Sequence, residues 1–333
     1  MKVERDPGTS MKRLALTTGD PGGIGPEVVL KALSSPDLPK CIPVVIGDAC
    51  VMRDAMKTCK IPLEVEVINS PDDSSFSPGT LWLIDLHSLT SFKKKEPDPH
   101  NGMACVSYIK KAVELVLERK VDSIVTAPIS KEALKYGGFP WAGHTEMLAE
   151  LTASRDYAMM LVGEPLRVIL VTIHTALKNV PNLITKETVL KTIRLAKKAC
   201  DMLGIEKPRI AVAGLNPHAG ESGIFGKEEI QEIKPAVDEA RGNGIFAVGP
   251  YPPDTIFHKA YQGDVDIVVC MYHDQGLIPL KMVSFDRGVN VTVGLPIIRT
   301  SPDHGTAYDI AWKGIANPSS IIEAIKMAIR LKL

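Results

Sequence analysis

The sequence has no excess of either charge: 39 Lys and Arg stand against 39 Asp and Glu over 333 residues. Binders of nucleic acid or membrane surfaces carry a basic excess, so neither partner is expected here. Long apolar runs are missing too, since stretches such as Val168–Ile173 and Ile267–Met271 fall far short of a membrane span. Residues 1–11 are polar and hold no apolar core of the kind a signal peptide needs. A disordered lead-in and a cytoplasmic location are the expectations. The six cysteines form no CxxC pair, which removes the compact zinc and redox motifs and leaves reduced thiols. Repeats and low-complexity tracts are lacking. The one short basic run, Lys93–Lys95, lies in a loop rich in Pro and Asp and reads as a solvated turn.

Two familiar nucleotide signatures are also missing. The segment Gly19–Glu27 (GDPGGIGPE) follows an apolar run and opens a helical pattern, where backbone N–H groups could cradle an anion. It has no GK[ST] ending, and Val28 stands where GxGxxG needs its third glycine. A tight turn close to a substrate and direct phosphate binding both stay open. A bound dinucleotide would need something other than the Rossmann fingerprint.

What is present is a regular alternation. Short runs rich in Val and Ile predict strands at Arg13–Thr18, Val44–Ile46, Leu81–Asp85, Ser123–Thr126, Val168–Ile173, Ile210–Ala213 and Asp266–Cys270. Helical periods fall between them. Pro26 suits the first turn of one helix, and Pro36 follows its end. Asn101 is placed to cap another, with Met103, Val106, Ile109, Val113 and Val116 on one face. Thr185–Leu203, stopping at Gly204, and Lys227–Arg241 read as two more. Strands alternating with helices imply crossover connections, hence an α/β fold with a largely parallel sheet. A chain of 36.1 kDa is expected to divide into two domains.

Three histidines fall just past predicted strands: His174 after Val168–Ile173, His218 after Ile210–Ala213 and His273 after Asp266–Cys270. Ligands of open α/β sheets bind at that edge. Imidazole is the commonest ligand for zinc-like ions, and three protein ligands leave a position for substrate. Spacings of 44 and 55 residues match no compact metal motif, so three ordinary loop histidines is the competing reading.

Leu14–Leu30 (LALTTGDPGGIGPEVVL) resembles the opening of isopropylmalate and isocitrate dehydrogenases, and Asp303–Pro318 (DHGTAYDIAWKGIANP) resembles their adenosine-binding loop. A closer resemblance, over nearly the whole chain from Arg13, is to the 4-hydroxythreonine-4-phosphate dehydrogenase family of vitamin B6 biosynthesis. It is carried by TTGDPGGIGPE, Gly143–Glu146 (GHTE), Gly214–Glu221 (GLNPHAGE), Pro253–Thr255, Met271–Gly276 (MYHDQG), Gly288–Thr292 (GVNVT) and Gly294–Ala307 (GLPIIRTSPDHGTA).

The resemblance implies a two-domain fold of the isocitrate and isopropylmalate dehydrogenase type, with the active site in the interdomain cleft. It implies residues 1–136 with 290–333 as the cofactor-side domain and 137–289 as the dimerisation and metal domain. It also implies His174, His218 and His273 as ligands of one divalent ion (zinc, magnesium or cobalt), and a homodimer whose metal ligands come from both subunits. His144, Thr145, Lys281, Asn290 and Arg299 are the implied contacts to a small phosphorylated substrate. The adenosine-loop residues His304, Gly305, Thr306 and Asp309 are the expected contacts to NAD or NADP, and Asp254 and Lys281 the candidates for moving the proton. Thr145 also suits a helix cap, and Asp309 a cap near Ala307–Trp312. The family includes a subgroup acting on 4-phosphorylated threonate or erythronate, and Asp156–Met159 (DYAM) and Thr172–Leu177 (TIHTAL) resemble it. A three-histidine lyase of the class II aldolase type would share the metal and phosphate site without a dinucleotide.

Overall fold

Every strand predicted from the sequence is present in the computed structural model, which describes residues 11–333; residues 1–10, expected as a lead-in, lie outside the described residues. The strands are β1 (Arg13–Thr17), β2 (Ile42–Gly47), β3 (Glu64–Val67), β4 (Thr80–Asp85), β5 (Ser123–Thr126), β6 (Ala158–Gly163), β7 (Leu166–Leu170), β8 (Ile210–Ala213), β9 (Ala247–Tyr251), β10 (Ile267–Cys270), β11 (Val289–Val293) and β12 (Arg299–Pro302). The α-helices are α1 (Gly25–Leu33), α2 (Ala49–Cys59), α3 (Pro99–Leu117), α4 (Lys131–Tyr136), α5 (His144–Leu151), α6 (Lys186–Met202), α7 (Lys234–Gly242), α8 (Pro253–Tyr261), α9 (His273–Val283) and α10 (Ser319–Arg330).

The chain forms two compact units. The first runs to Thr152 and takes in Ile297–Arg330; the second is Ala153–Pro296 with Leu331–Leu333. Within the first, the order β3-β4-β2-β1-β5-β12 is parallel throughout. Within the second, the order is β11-β6-β7-β10-β8-β9, with β6 antiparallel to both neighbours and β7, β10, β8 and β9 parallel. Buried on both faces, β8 (IAVA) and β10 (IVVC) read as continuous apolar runs, while β5 (SIVT) is buried throughout with polar Ser123 and Thr126 at its ends. The unit boundaries differ from the expected 136/137 and 289/290. Helix α5 contacts α3 and so joins the first unit, while β11 pairs with β6 and so stays in the second.

Several local expectations are corrected. Asp98, not Asn101, caps α3, accepting from His100 N (2.9 Å) and Asn101 N (3.2 Å) ahead of Pro99; Met103 lies on the exposed side. The predicted helix Lys227–Arg241 is a π turn, Glu229–Ile233, leading into α7. Strand β7 ends at Leu170, three residues before Ile173. Thr185 caps α6 as its sequence suggests. All six cysteines are free thiols.

Candidate active site

The three histidines follow three neighbouring parallel strands of the second unit. β10 pairs with β7 on one side (Val268 opposite Val168) and with β8 on the other (Val268 opposite Ala211). His174 lies four residues past β7, His218 in the turn Pro217–Gly223 after β8, and His273 at the first residue of α9 after β10. The adjacency of β7, β10 and β8 brings three loops to one sheet edge, which their sequence spacing did not show. The rings of His174 and His273 are 5.8 Å apart between centroids. His273 Nδ1 is 2.7 Å from Asp274 Oδ1, and His218 Nδ1 is 3.5 Å from Glu221 Oε2. At His273 the carboxylate hydrogen bond to Nδ1 leaves Nε2 as the nitrogen open to a metal, the usual support of a metal-binding imidazole. The His218 ring centroid lies 6.2 Å from that of Phe225. Among the described residues of a single chain, no three His, Cys, Asp or Glu side chains gather around one ion position. The donor chemistry of the three imidazoles fits a divalent ion.

A second group of polar side chains lies in the first unit. Arg299 on β12 is buried, and its Nε and Nη2 donate to Thr126 Oγ1 at 3.1 and 2.7 Å. Thr126 ends β5, the parallel neighbour of β12, and was not singled out in the sequence although it sits at a strand's carboxyl end. Burial pulls the Arg299 pKa down to about 9, opposed by the charge of Glu146, so the guanidinium remains cationic at neutral pH. Thr126 brings no charge, and a guanidinium is the side chain whose planar fork suits the oxygens of a phosphate or carboxylate. His144 begins α5, and its buried Nε2 has no hydrogen-bond partner among the described residues. Burial, with the Arg299 charge added, holds this imidazole well below the ordinary histidine range, hence neutral. Gly143 precedes the helix without a side-chain cap, so Thr145 is a buried first-turn residue and not the cap expected of it.

The remaining candidates of the second unit are dispersed. Lys281 is half-buried on α9, its Nζ 5.7 Å from the Phe285 ring. Asn290 lies on β11 with a buried Oδ1 that has no partner among the described residues. Asp254 is exposed in the first turn of α8.

The two glycine-containing motifs prove to be one structure. Segment 303–318 folds over 19–27: Ile24 N donates to Thr306 O (3.0 Å), Tyr308 OH to Asp20 Oδ2 (2.6 Å), Trp312 Nε1 to Pro21 O (3.0 Å), and Trp312 N to Glu27 Oε1. Lys31 Nζ reaches the carbonyls of Gly314 (2.9 Å) and Ala316 (2.7 Å). A Cβ at Gly23 would stand 2.9 Å from Thr306, so the glycine there permits close approach of the two loops. The N–H groups of Asp20, Gly22, Gly23 and Ile24 are all bonded within the protein, and this turn serves as a support for the second loop. Burial pushes the Asp20 carboxyl up, against the hydrogen bonds from Tyr308, Gly22 and Asn101. The Lys93–Lys95 run also joins in: Lys95 N donates to Gly22 O (2.8 Å), and Lys94 Nζ lies 4.2 Å from the Trp312 ring centroid. It is more than a solvated turn. His304 Nδ1 lies 3.1 Å from Gly305 O, while Gly305 and Asp309 are exposed. Residues 308–314 form turns, not the helix that Asp309 was suited to cap.

Comparison with known proteins follows the same lines. The family model described as pyridoxal phosphate biosynthetic protein PdxA matches residues 39–328. A 4-hydroxythreonine-4-phosphate dehydrogenase of Desulfosudis oleivorans is 49% identical over 320 residues, covering 95% of each chain. A D-threonate 4-phosphate dehydrogenase of Pectobacterium atrosepticum is 45% identical over 323 residues, covering 96% of this chain and 99% of the other. The crystal structure of 4-hydroxythreonine-4-phosphate dehydrogenase from Klebsiella pneumoniae superposes with a TM-score of 0.89 at 43% identity, covering 97% and 98% of the two chains.

Proposed function

Because the chain belongs to the family of pyridoxal phosphate biosynthetic protein PdxA, we propose that it oxidises 4-hydroxy-L-threonine 4-phosphate with NAD or NADP in a metal-dependent reaction. The product is a β-keto acid that decarboxylates to 3-amino-2-oxopropyl phosphate. The enzyme class is that of a dehydrogenase acting on a CH–OH group, as in its relatives, which sets the lyase reading aside. The observation that carries the proposal is the placement of His174, His218 and His273 past the carboxyl ends of the adjacent parallel strands β7, β8 and β10.

We assign the roles as follows. His174, His218 and His273 hold one divalent ion, of the zinc, magnesium or cobalt type. When bound, that ion supplies Lewis-acid polarisation of the substrate's C3 hydroxyl, and the dinucleotide supplies the hydride acceptor. Arg299 grips an anionic group of the substrate through paired N–H groups, with Thr126 fixing its plane. Neutral His144, Thr145 and Asn290 add hydrogen bonds, and Lys281 adds positive charge. Asp254 and Lys281 move the hydroxyl proton. The loop from His304 to Asp309, braced by residues 19–27, contacts the dinucleotide through His304, Gly305, Thr306 and Asp309. A homodimer completes the ligand set. Its support is the exposed apolar group Ile278 (59%), Met282 (85%) and Phe285 (74%) on and just after α9, whose exposure is unusual for a lone subunit.

A second substrate is favoured by a specific observation: relatives named for D-threonate 4-phosphate match as completely as those named for the amino compound. Replacing the amine by hydroxyl leaves phosphate, carboxylate and C3 hydroxyl in place. The test is nucleotide reduction with 4-hydroxy-L-threonine 4-phosphate and 4-phospho-D-threonate side by side. Higher kcat/KM on the first supports the proposal, higher kcat/KM on the second replaces the substrate, and turnover of neither overturns both.

A further inference from the structure

The three histidine loops are tied to one another by a chain of buried hydrogen bonds that none of the histidines makes. In the loop of His174, Thr172 donates to the Met271 carbonyl twice, from its N–H (3.2 Å) and its hydroxyl (2.8 Å). Met271 belongs to the loop of His273, and its N–H donates to Gln275 Oε1 at 2.6 Å. The other end of that amide, Gln275 Nε2, donates to the Gly214 carbonyl at 2.7 Å, at the start of the loop that carries His218. Thr172, Met271 and Gln275 are all at most 7% exposed, where an unmade hydrogen bond is costly. The loop of His218 is then held from its far side. Buried Glu229 accepts from Leu215 N (2.8 Å), Asn216 N (2.7 Å) and Asn216 Nδ2 (3.0 Å).

The loop needs such holding. Five consecutive residues, His218 to Ser222, have positive φ (53°, 53°, 80°, 43° and 56°), and only Gly220 among them adopts that region without steric cost. Strain of this kind persists only where the surroundings over-determine it. Gln275 is also determined chemically. One of its partners is an N–H and the other a carbonyl, so the side chain must present an acceptor to Met271 and a donor to Gly214. A glutamate of the same shape would set a carboxylate oxygen against the Gly214 carbonyl.

We propose that Gln275 is a positioning residue for the metal site: its amide, with Thr172 on one side and Glu229 beyond the other, presets the three histidine loops before any ion binds. This rests on the metal reading above. Residues that orient metal ligands in this way typically change affinity by about 10- to 100-fold when replaced.

The test titrates chelator-treated full-length protein with Co²⁺, reading visible absorption and the thermal midpoint with and without saturating ion. The proteins are wild type, Q275E, Q275M and T172V. Wild type is expected to give a saturable band and a metal-dependent rise in midpoint. Q275E and Q275M should bind about 10- to 100-fold more weakly and lose more of the metal-dependent rise than of the metal-free midpoint, a split that a merely structural role would not produce. T172V, which keeps the backbone bond to Met271, should move the same way by a smaller factor, and it decides the matter if the Gln275 variants fail to fold. Wild-type affinity and band in these variants would overturn the role of Gln275 while leaving the metal reading intact. A wild type with no saturable Co²⁺ binding would overturn the metal reading and this inference with it.

Discussion

Arg299 and His144 show how a site residue differs from a surface charge. The guanidinium is 1% exposed, and its fork already meets Thr126 through two of its nitrogens, so its shape matters as much as its charge. A lysine keeps the charge but presents one compact ammonium. Arg299→Lys is expected to raise KM for the phosphorylated substrate about 10-fold or more, the worth of one charge-assisted hydrogen bond, and steady-state kinetics checks it. His144 makes a prediction with a definite sign. Its folded pKa lies well below the ordinary 6.5 because burial, then the Arg299 charge, disfavours the imidazolium. Above pH 6.5 the ring is neutral in both folded and unfolded chains and costs nothing. As pH falls below 6.5 the unfolded chain takes up a proton that the folded one refuses, so stability falls. The thermal midpoint should therefore decline between pH 7 and 5, and His144→Gln should decline less steeply. Parallel curves would show that this imidazole does not report on folding. The burial of Arg299 was partly legible, since it follows Pro296, Ile297 and Ile298, apolar surroundings that speak against a surface charge, but only the pairing of β12 with β5 places it over Thr126.

At the scale of elements, what the sequence revealed depended on how each segment is buried. Strands β8 and β10 are apolar on both faces, and β5 carries Ile124 and Val125 at its centre, so all three announce themselves. Strand β3 (EVEV) is an exposed edge, β6 (AMMLVG) is built on methionine where β-branched residues would signal a strand, β9 (AVGPY) carries Gly-Pro, and β12 (RTSP) is mostly polar. All four went unpredicted, as did β11, whose VNVTV was read only as part of a motif. The loop pair 19–27 and 303–318 was visible as two motifs, yet their union depends on side chains far apart in sequence, such as Tyr308 OH on Asp20. Tyr308→Phe removes a donor from a buried carboxylate, a loss of about 1–3 kcal/mol. The expected outcome is a lower urea midpoint together with a higher KM for the dinucleotide. An unchanged midpoint would mean that Asp20 finds another donor.

For the whole molecule, the sequence placed all three histidines after strands but could not show that β7, β10 and β8 are neighbours, since strand order is a long-range property. The family resemblance implied ligands from two subunits, and among the described residues of one chain the three gather at no common ion position. Completion by a second copy predicts that charge on the exposed apolar group of α9 disrupts function. Met282→Asp with Phe285→Asp should give a monomer by sedimentation with little remaining activity; an active monomer would remove the dimer from the account. No described helix is long and apolar enough to cross a membrane. The central claim is metal-dependent dehydrogenation, and one measurement meets it most directly: nucleotide reduction by purified protein on 4-hydroxy-L-threonine 4-phosphate, first after chelation and then after metal add-back. Reduction should be lost with the metal, return on its restoration, and fail to return in His174→Ala, His218→Ala or His273→Ala. Full activity in the chelated protein, or in any of the three variants, would contradict it.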